Sequence, residues 1–451
     1  MRDILSALPM SNIVKPRRLW AGVEYEDALS WLYGRETMGI KFGLGNISKL
    51  LGKLGDPHRR FRSVHIAGSN GKGSVSAMTA SVLQEAGYVT GLYTSPHLVD
   101  FRERIRVDGQ CILRKELLRL IEEVREIVEG SGLPEERPTF FELATAMAFV
   151  HFADSGVEEA VVEVGMGGRL DATNVIEPDC CAITRIGLEH TRYLGDTLEA
   201  IALEKAGIIK TGVPVITMDQ DSEVVRSLQR VAIERHAPFK VVGRDVAFEI
   251  VSSTLEGTEV RVEELDMTVR TPLVGRYQGA NCAIACSLIA ELMRRGVYIS
   301  DEAIAGGLLK VRWPGRMEMV SSAPPIMFDV THTPDGSREV ASEVRRLIGE
   351  DVVLVMGVLD DKDLDGIASN FGKLAKVAVA TAPATPRAFP PVATARALGR
   401  YCSTVEVVPE VPRAMDRAIE LAAAGETILV TGSLFTVGEA YRWLDGRKAD
   451  R

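Results

Sequence analysis

Cysteine is scarce in this chain, and its pattern argues against two classes of protein. The chain has six cysteines among 451 residues and no C-x-x-C pair: Cys111, Cys180, Cys181, Cys282, Cys286 and Cys402. A disulfide framework or a thiolate zinc site would require closer or more regular spacing in so long a chain. We therefore expect small buried thiols.

Long apolar runs are also missing. Residues Met1 to Arg18 mix apolar side chains with Asp3, Lys15 and two arginines, so they lack the apolar core of a signal peptide. No uninterrupted apolar stretch is long enough to span a bilayer. The chain has 62 acidic against 53 basic residues, a net charge of −9, which disfavours a nucleic-acid or anionic-membrane surface. We expect a cytoplasmic protein that binds neither.

A glycine-rich loop is the most informative motif that the chain does contain. It consists of Gly68, Ser69, Asn70, Gly71, Lys72, Gly73 and Ser74, between an apolar stretch at 64–67 and a helix-like run at 75–85. In such a loop the backbone N–H groups and the helix N-terminus face an anion, the lysine adds a point charge and the serine reaches Mg²⁺. The general Walker pattern has an outer glycine where this chain has Ile66. The loop predicts phosphate binding, as in kinases, NTPases and ligases, and its structural alternative is a plain strand-to-helix turn.

The alternation of strand and helix patterns predicts the fold. Apolar strands alternate with amphipathic helices from residue 64 to about 218, which favours a mainly parallel sheet with helices on both faces. Residues 248–271 alternate with period two, which predicts a small antiparallel sheet. A second α/β series without a glycine loop follows residue 316.

The predicted class is therefore α/β, with two domains. A P-loop nucleotide-binding domain with a mainly parallel sheet and a small antiparallel subsheet spans residues 1–310. A Rossmann-like α/β domain spans residues 311–451, with the boundary near Leu309–Val311. The Pro-rich segment 382–391 predicts a loop.

Polar residues follow several predicted strands, where open α/β sheets bind their ligands. Ser95 could offer a hydroxyl to Mg²⁺, or could cap a helix that begins at Pro96. The arginines at positions 102, 104 and 106 occupy alternate places, either on a solvated strand face or around substrate carboxylates.

Three further polar residues need partners if they are buried. Glu163 ends an apolar strand, and a buried carboxylate there requires a cation or hydrogen-bond donors. His190 lies in a polar segment after the next strand, where a structural role is the usual one. Lys205 lies late in a helix, where a lysine ordinarily complements the helix dipole.

Taken together and in this order, the segments resemble the folylpolyglutamate synthase/dihydrofolate synthase family, a branch of the Mur ligase superfamily. The sequence motifs of this family are G-[ST]-N-G-K-G-S, T-S-P-H-L, E-V-G-x-G-G-x-x-D-A-T-N, L-[DE]-H-T and E-K-A-G-I. They are matched at Gly68–Ser74, Thr94–Leu98, Glu163–Asn174, Leu188–Thr191 and Glu204–Ile208, with further matches at Leu29–Gly43, Phe140–Glu142, Trp313–Arg316 and Thr431–Gly438. The resemblance covers nearly the whole chain.

The resemblance implies an ATP-dependent amide ligase, often monomeric, that uses Mg²⁺. ATP phosphorylates a substrate carboxylate, and the amine of L-glutamate attacks the acyl phosphate. The acceptor is dihydropteroate, a reduced folate or both. The rival readings are a Mur-type ligase for another cofactor precursor, a small-molecule P-loop kinase and a non-catalytic binding protein.

The resemblance also implies residue roles. Ser95, Glu163 and His190 correspond to Mg²⁺ ligands, and Lys205 to a lysine carbamylated by CO₂. Lys72 and Ser74 correspond to residues that bind the phosphates. Asn281, Arg316 and Asp329 match ATP contacts. His332, Ser433 and Arg104 match positions near glutamate and the pterin. The expected catalytic set is Lys72, Glu163, His190, Lys205 and His332, in a cleft between the two domains.

Two positions depart from the family pattern. Where the family has D-x-A-H-N-P, this chain has Asp329 to Pro334 with Thr333 in place of the asparagine. Arg185 stands where the family often has asparagine. The core chemistry is expected to remain, while the acceptor stays open between dihydropteroate, folate and a variant pterin.

Overall fold

A computed structural model of the protein describes residues 25–35, 43–130 and 138–449. The segment Met1 to Arg18 and part of the motif match at Leu29–Gly43 lie outside these ranges. Within them, no helix combines the length and the apolar character that a membrane crossing requires.

The first sheet has eight strands. They are β1 (Arg62–Ala67), β2 (Thr90–Tyr93), β3 (Ile105–Val107), β4 (Gln110–Cys111), β5 (Glu159–Glu163), β6 (Cys180–Ile183), β7 (Val215–Met218) and β8 (Phe239–Val242). Their order is β4-β3-β2-β5-β1-β6-β7-β8, parallel except where β3 pairs with β2 and β4. The carboxyl ends of β1, β2, β5 and β6 therefore meet at one edge, which is where the polar motifs lie.

Helices cover both faces of this sheet. They are α1 (Tyr25–Tyr33), α2 (Gly45–Lys53), α3 (Lys72–Glu85), α4 (Arg114–Gly130), α5 (Phe140–Asp154), α6 (Thr191–Leu194), α7 (Leu198–Ala206), α8 (Ser222–Glu234), α9 (Arg276–Arg294) and α10 (Asp301–Lys310). Because side chains alternate along a strand, Val161 packs towards α3, α9 and α10, whereas Ala160 and Val162 pack towards α1, α2, α4 and α5. Burial on both faces explains why these strands are apolar throughout.

A small antiparallel sheet lies beside α9, as the period-two pattern predicted. It contains β9 (Phe248–Thr254), β10 (Gly257–Val262) and β11 (Met267–Thr271). One face is buried through Val260, Val262 and Val269 against the α9 side of the first sheet.

A six-stranded sheet forms the later part of the chain. Its strands are β12 (Glu318–Ser322), β13 (Pro325–Phe328), β14 (Val352–Met356), β15 (Ala375–Ala382), β16 (Val405–Glu410) and β17 (Ile428–Thr431), in the order β12-β13-β17-β14-β15-β16. Its helices are α11 (Pro334–Leu347), α12 (Leu364–Phe371), α13 (Pro391–Leu398), α14 (Val411–Leu421) and α15 (Leu434–Ala449). α11, α12 and α13 cover one face, and α14 and α15 the other. The predicted fold class is confirmed, while the boundary at residues 310 and 311 stays a prediction.

Two local expectations need correction. No helix begins at Ser95, and Asp100 caps a short 3₁₀ turn at Phe101–Arg104 instead. The arginines at 102 and 104 therefore lie in this turn, and only Arg106 lies in a strand, so the three do not share a strand face. Five of the six cysteines are buried, as predicted, and Cys111 is half-buried.

The contact between α10 and α3 gives a stability prediction. A Cβ atom at Gly307 would lie 2.5 Å from the Cα atom of Val82, so backbone would have to move. We expect Gly307→Ala to lower the free energy of unfolding by about 1–3 kcal/mol, because overpacking outweighs the higher helix propensity of alanine. Urea unfolding followed by circular dichroism measures it.

Gly306→Ala is the matched control, since its Cβ atom would meet only the flexible side chain of Glu85 at 3.0 Å. It should leave the unfolding midpoint unchanged or slightly higher. Equal midpoints for the two variants would contradict the packing argument.

Candidate active site

The glycines of the phosphate loop lie against residues from other segments. At Gly68 (φ +144°) a Cβ atom would lie 1.8 Å from Oγ1 of Thr184, and at Gly71 (φ +93°) it would lie 2.5 Å from Oδ1 of Asn281. Both positive φ angles and both contacts require glycine. The predicted ATP contact Asn281, on α9, is thus placed directly against the loop.

The loop also meets the segment that leads into the second sheet. A Cβ atom at Gly73 would lie 2.8 Å from the ring of Trp313. Ser74, the next residue in the first turn of α3, is buried. The P-loop and the Trp313–Arg316 motif therefore lie side by side, although about 240 residues of sequence separate them.

Lys72 and the backbone hold the loop in shape. The Nζ atom of Lys72 donates to the carbonyl oxygens of Gly68 (2.9 Å) and Ser69 (3.3 Å). The backbone N–H groups of Ser69 and Asn70 donate to the carbonyl oxygen of Arg185 at 2.9 and 3.1 Å. The lysine is therefore at the loop, in reach of an anion bound there.

Glu163 ends β5 as a buried carboxylate, only 4% exposed. It accepts a hydrogen bond from the backbone N–H of Ser95 at 3.2 Å. Burial raises the pKa of Glu163 to about 7, against the opposing charges of Lys72 and Arg316. Such a carboxylate is suited to receive a cation.

Lys205 is the most deeply buried cation of the site, 1% exposed near the end of α7. Its Nζ atom donates to the carbonyl oxygen of Gly68 at 2.8 Å and to Oε1 of Glu189 at 2.7 Å. Burial lowers the pKa of Lys205, and the Glu189 carboxylate opposes this. Burial alone would raise the pKa of Glu189, but Lys205 and Lys72 outweigh it and hold that pKa below its usual value.

Both predicted histidines are neutral at pH 7. His190 has φ +48° and precedes α6, and burial lowers its pKa to about 4. Burial also lowers the pKa of His332 to about 4. The Nδ1 atom of His332 lies 3.0 Å from the carbonyl oxygen of Val330, so Nδ1 carries the proton and Nε2 can accept a hydrogen bond.

A third lysine of the site, Lys362, was not predicted. It lies in the loop after β14, pairs with Asp361 at 3.0 Å, and lowers the pKa of both His190 and His332. Because the charge of Lys362 acts on both rings, His190 and His332 share one electrostatic environment. No sequence pattern indicated it, because a lysine in a loop is ordinarily solvated.

The buried Asp329 organises the second half of the site. Its carboxylate accepts hydrogen bonds from the backbone N–H groups of Met317 (3.0 Å) and Thr331 (2.9 Å). It thereby ties the segment after Arg316 to the segment that contains His332. Ser433 is buried after β17, and its hydroxyl accepts a hydrogen bond from the N–H of Phe435 at 3.1 Å.

Arg104 borders an aromatic cavity of about 710 Å³. It is buried, donates from Nε to Nδ1 of His97 at 2.8 Å, and lies 5.1 Å from the ring centre of Phe140. The lining also includes Ser95 from the first part of the chain and Phe435 from the last helix. A cavity of this size with aromatic walls and a buried cation fits a flat, acidic organic molecule.

The fit of Mg²⁺ can be tested on these donors. No group of three or more His, Cys, Asp or Glu side chains suited to a metal is found within the described ranges. Mg²⁺ is often held by one or two protein oxygens together with phosphate oxygens and waters, so a full cage is not required. The buried Glu163 carboxylate beside Ser95 fits that mode, whereas the structure connects His190 with Glu189 and Lys362.

Comparison with known proteins identifies the family of this chain. Residues 66–289 match the Mur ligase middle domain, and residues 315–434 match the glutamate ligase domain of Mur ligases. A Bacillus subtilis dihydrofolate synthase/folylpolyglutamate synthase is 39% identical over 348 residues, covering 75% of this chain and 80% of that protein. The chain belongs to the folylpolyglutamate synthase family of Mur ligases.

Other members of the family agree. A probable bifunctional folylpolyglutamate synthase/dihydropteroate synthase of Haloferax volcanii is 36% identical over 93% of this chain, which spans 50% of that longer protein. A Mycobacterium tuberculosis folylpolyglutamate synthase structure, complexed with ADP and AMPPCP, has a TM-score of 0.84 and 32% identity, covering 93% of this chain and 98% of that one. The predicted family and ligase class are confirmed.

The raised pKa of Glu163 gives a prediction about stability. A free glutamate titrates near 4.5 and the folded one near 7, so the folded state loses stability as pH rises from 4.5 to 7. In metal-free buffer we expect Glu163→Gln to exceed the parent in unfolding free energy by roughly 1–3 kcal/mol at pH 8.

That advantage should shrink at pH 5, where the parent protein is largely protonated at Glu163. Urea unfolding of both proteins at the two pH values measures the difference. A difference that does not change between pH 5 and pH 8 would show that Glu163 is not buried as a titrating acid.

Proposed function

We propose that this chain joins the amino group of L-glutamate to the carboxylate of a pterin or folate acid at the expense of ATP. The observation that carries the proposal is the position of Glu163. It is bonded to Ser95, which lines the aromatic cavity, and the charge of Lys72 in the phosphate loop acts on it. One carboxylate thus links the phosphate site to the cavity. The similarity to the Bacillus subtilis dihydrofolate synthase/folylpolyglutamate synthase supports dihydropteroate and folate as acceptors.

The reaction proceeds in two steps. A carboxylate oxygen of the acceptor attacks the γ-phosphorus of ATP, the bond to the bridging oxygen breaks, and ADP leaves. The nitrogen of glutamate then attacks the acyl carbon and loses a proton, and the tetrahedral intermediate expels phosphate. The first step is needed because a carboxylate is a poor acylating agent until its oxygen becomes a good leaving group.

In this proposal the phosphate loop binds ATP. The backbone N–H groups from Gly71 to Ser74, at the start of α3, and the Lys72 ammonium bind the phosphates, as anions bind at helix N-termini. Asn281 and Arg316 complete the nucleotide site, and Asp329 holds the segment after Arg316 in place. With the domain boundary at residues 310 and 311, as predicted from the sequence, these groups would lie on both sides of a cleft.

Mg²⁺ belongs to the same proposal. Glu163, Ser95 and His190 would hold it, and when bound it neutralises charge on the transferring phosphoryl group. At neutral pH the pKa of about 7 leaves Glu163 partly protonated, so a nearby cation would favour its ionised form.

The acceptor and glutamate occupy the other side of the cleft. The pterin lies in the aromatic cavity with Arg104 near a substrate carboxylate, as a buried guanidinium favours. Glutamate lies near His332 and Ser433, where the neutral Nε2 atom of His332 can accept a hydrogen bond from its amino group. Closure of the cleft aligns the reactants and excludes water.

We also propose that Lys205 reacts with CO₂. The neutral amine forms an N–C bond and releases a proton, giving a carbamate anion. Burial lowers the pKa of Lys205, which favours the neutral amine. The carbamate and the neighbouring Glu189 would then be two anions in contact, which a divalent cation would stabilise.

The reaction class is tested by phosphate release. ATP and L-glutamate are supplied with dihydropteroate, tetrahydrofolate, methylene-tetrahydrofolate and other pterin acids, one at a time. We expect phosphate release that requires both glutamate and one or more pterin acids, with an amide product seen by mass spectrometry. Phosphoryl transfer to a hydroxyl without glutamate would favour a kinase instead.

The carbamate is tested by Lys205→Ala. Because the variant lacks the amine, we expect a loss of turnover of about 100-fold or more, the size of effect that a missing charge-stabilising group has in an active site. Formate or acetate should restore part of it by replacing the lost carboxylate group. Unchanged turnover would remove Lys205 from the mechanism, and a folded, inactive variant that carboxylates do not rescue would remove the carbamate alone.

A further inference from the structure

Asn70 of the phosphate loop contacts the first turn of α11 in the later part of the chain. The hydroxyl of Thr333 donates to Oδ1 of Asn70 at 3.3 Å. The same hydroxyl accepts a hydrogen bond from the backbone N–H of Gly336 at 3.2 Å and so caps α11. Thr333 is buried, which protects both bonds from water. One side chain therefore both starts the helix and attaches it to the loop.

Arg185 makes a second connection between the same two elements. Its carbonyl oxygen accepts the N–H groups of Ser69 and Asn70, at 2.9 and 3.1 Å. Its guanidinium pairs with Glu339 on α11, with Nη1 2.9 Å from Oε1. The residue thus holds the phosphate loop with its backbone and α11 with its side chain.

The two surfaces lie close together, so that a Cβ atom added on either side would touch the other. A Cβ atom at Gly336 would lie 2.9 Å from Oγ1 of Thr333 and 3.5 Å from Oδ1 of Asn70. A Cβ atom at Gly187, just after Arg185, would lie 3.1 Å from Oδ2 of Asp335. Glycines on both sides allow the loop and the helix to approach this closely.

We propose that Thr333, Arg185 and Glu339 form a latch that docks α11 on the phosphate loop and so sets the position of His332, which directly precedes Thr333. They act as positioning residues, since their bonds run to the loop and to the helix. Thr333 and Arg185 are also the two departures from the family pattern, and they meet at one contact. The kinetic consequence rests on the proposed ligation, whereas the docking itself does not.

The size of the effect follows from exposure. Arg185 and Glu339 are about two-fifths exposed, so their attraction alone is modest and sensitive to salt. Reversing one charge replaces attraction by repulsion next to the loop. We therefore expect each of Arg185→Glu and Glu339→Arg to lower kcat roughly three- to tenfold at low salt.

The double reversal is the decisive variant. With Arg185→Glu and Glu339→Arg combined, the pair is rebuilt in the opposite sense, and kcat should return to within about twofold of the parent. Arg345→Glu is the matched control, because Arg345 lies on the same helix but its exposed partner is Glu350, beyond the helix end, so kcat should remain unchanged. The Kd of AMPPCP should change less than twofold in all four proteins, since the loop keeps its own bonds.

The hydroxyl of Thr333 is tested separately. Thr333→Val removes both bonds at nearly constant volume and should lower kcat, while Thr333→Ser keeps the hydroxyl and should behave as the parent. Hydrogen–deuterium exchange of residues 68–75 and 332–340 in the AMPPCP complex gives a readout independent of turnover. We expect faster exchange in both segments for Thr333→Val and for each single reversal, but not for Thr333→Ser, the double reversal or Arg345→Glu.

The outcomes separate the latch from the ligation. Single reversals that change neither kcat nor exchange, or a double reversal as impaired as the product of the singles, would overturn the latch. A parent protein without glutamate-dependent phosphate release would overturn the proposed function, and the exchange pattern would still decide the latch. Thermal unfolding of each variant confirms that it is folded.

Discussion

Before any reaction with CO₂, the buried ammonium group of Lys205 constrains the whole site. Lys205 is withdrawn from water, and an unpaired charge there would cost several kcal/mol or force the group to lose its proton. The charged amine therefore requires the hydrogen bonds that it donates to the carbonyl oxygen of Gly68 and to the carboxylate of Glu189. These two bonds join α7 and the segment after β6 to the first residue of the phosphate loop. The three motifs that surround the site are held together by one cation.

The same site combines groups whose charge is finely balanced. Burial raises the pKa of Glu163 to about 7, so its carboxyl group is partly protonated at neutral pH. Burial also keeps the rings of His190 and His332 uncharged at pH 7. Since the ionised Glu189 carboxylate is paired with Lys205, such a site can accept phosphates and carboxylates without strong repulsion. The second half of the chain completes it, because Trp313 packs on the loop and α11 docks beside it.

The sequence could predict the elements and the motif residues, because strand and helix periods are local and the motifs contain their own chemistry. It could not predict Glu189 as the partner of Lys205, or Thr184 beneath Gly68, since these contacts depend on how separate loops pack. The ion pair of Arg185 with Glu339 joins residues 154 positions apart and depends on how the two halves meet. The alternating pattern predicted a shared strand face for the arginines around residue 104. Asp100 instead caps a 3₁₀ turn that contains Arg102 and Arg104.

In the proposed reaction, ATP activates the acceptor as an acyl phosphate at this site. The most direct test uses a pterin acid labelled with ¹⁸O in both carboxylate oxygens, with mass analysis of the released phosphate. Ligation through an acyl phosphate transfers one labelled oxygen to phosphate for each amide formed, because the carbon–oxygen bond breaks when glutamate attacks. Phosphate without label, or label found in AMP, would contradict an acyl-phosphate intermediate.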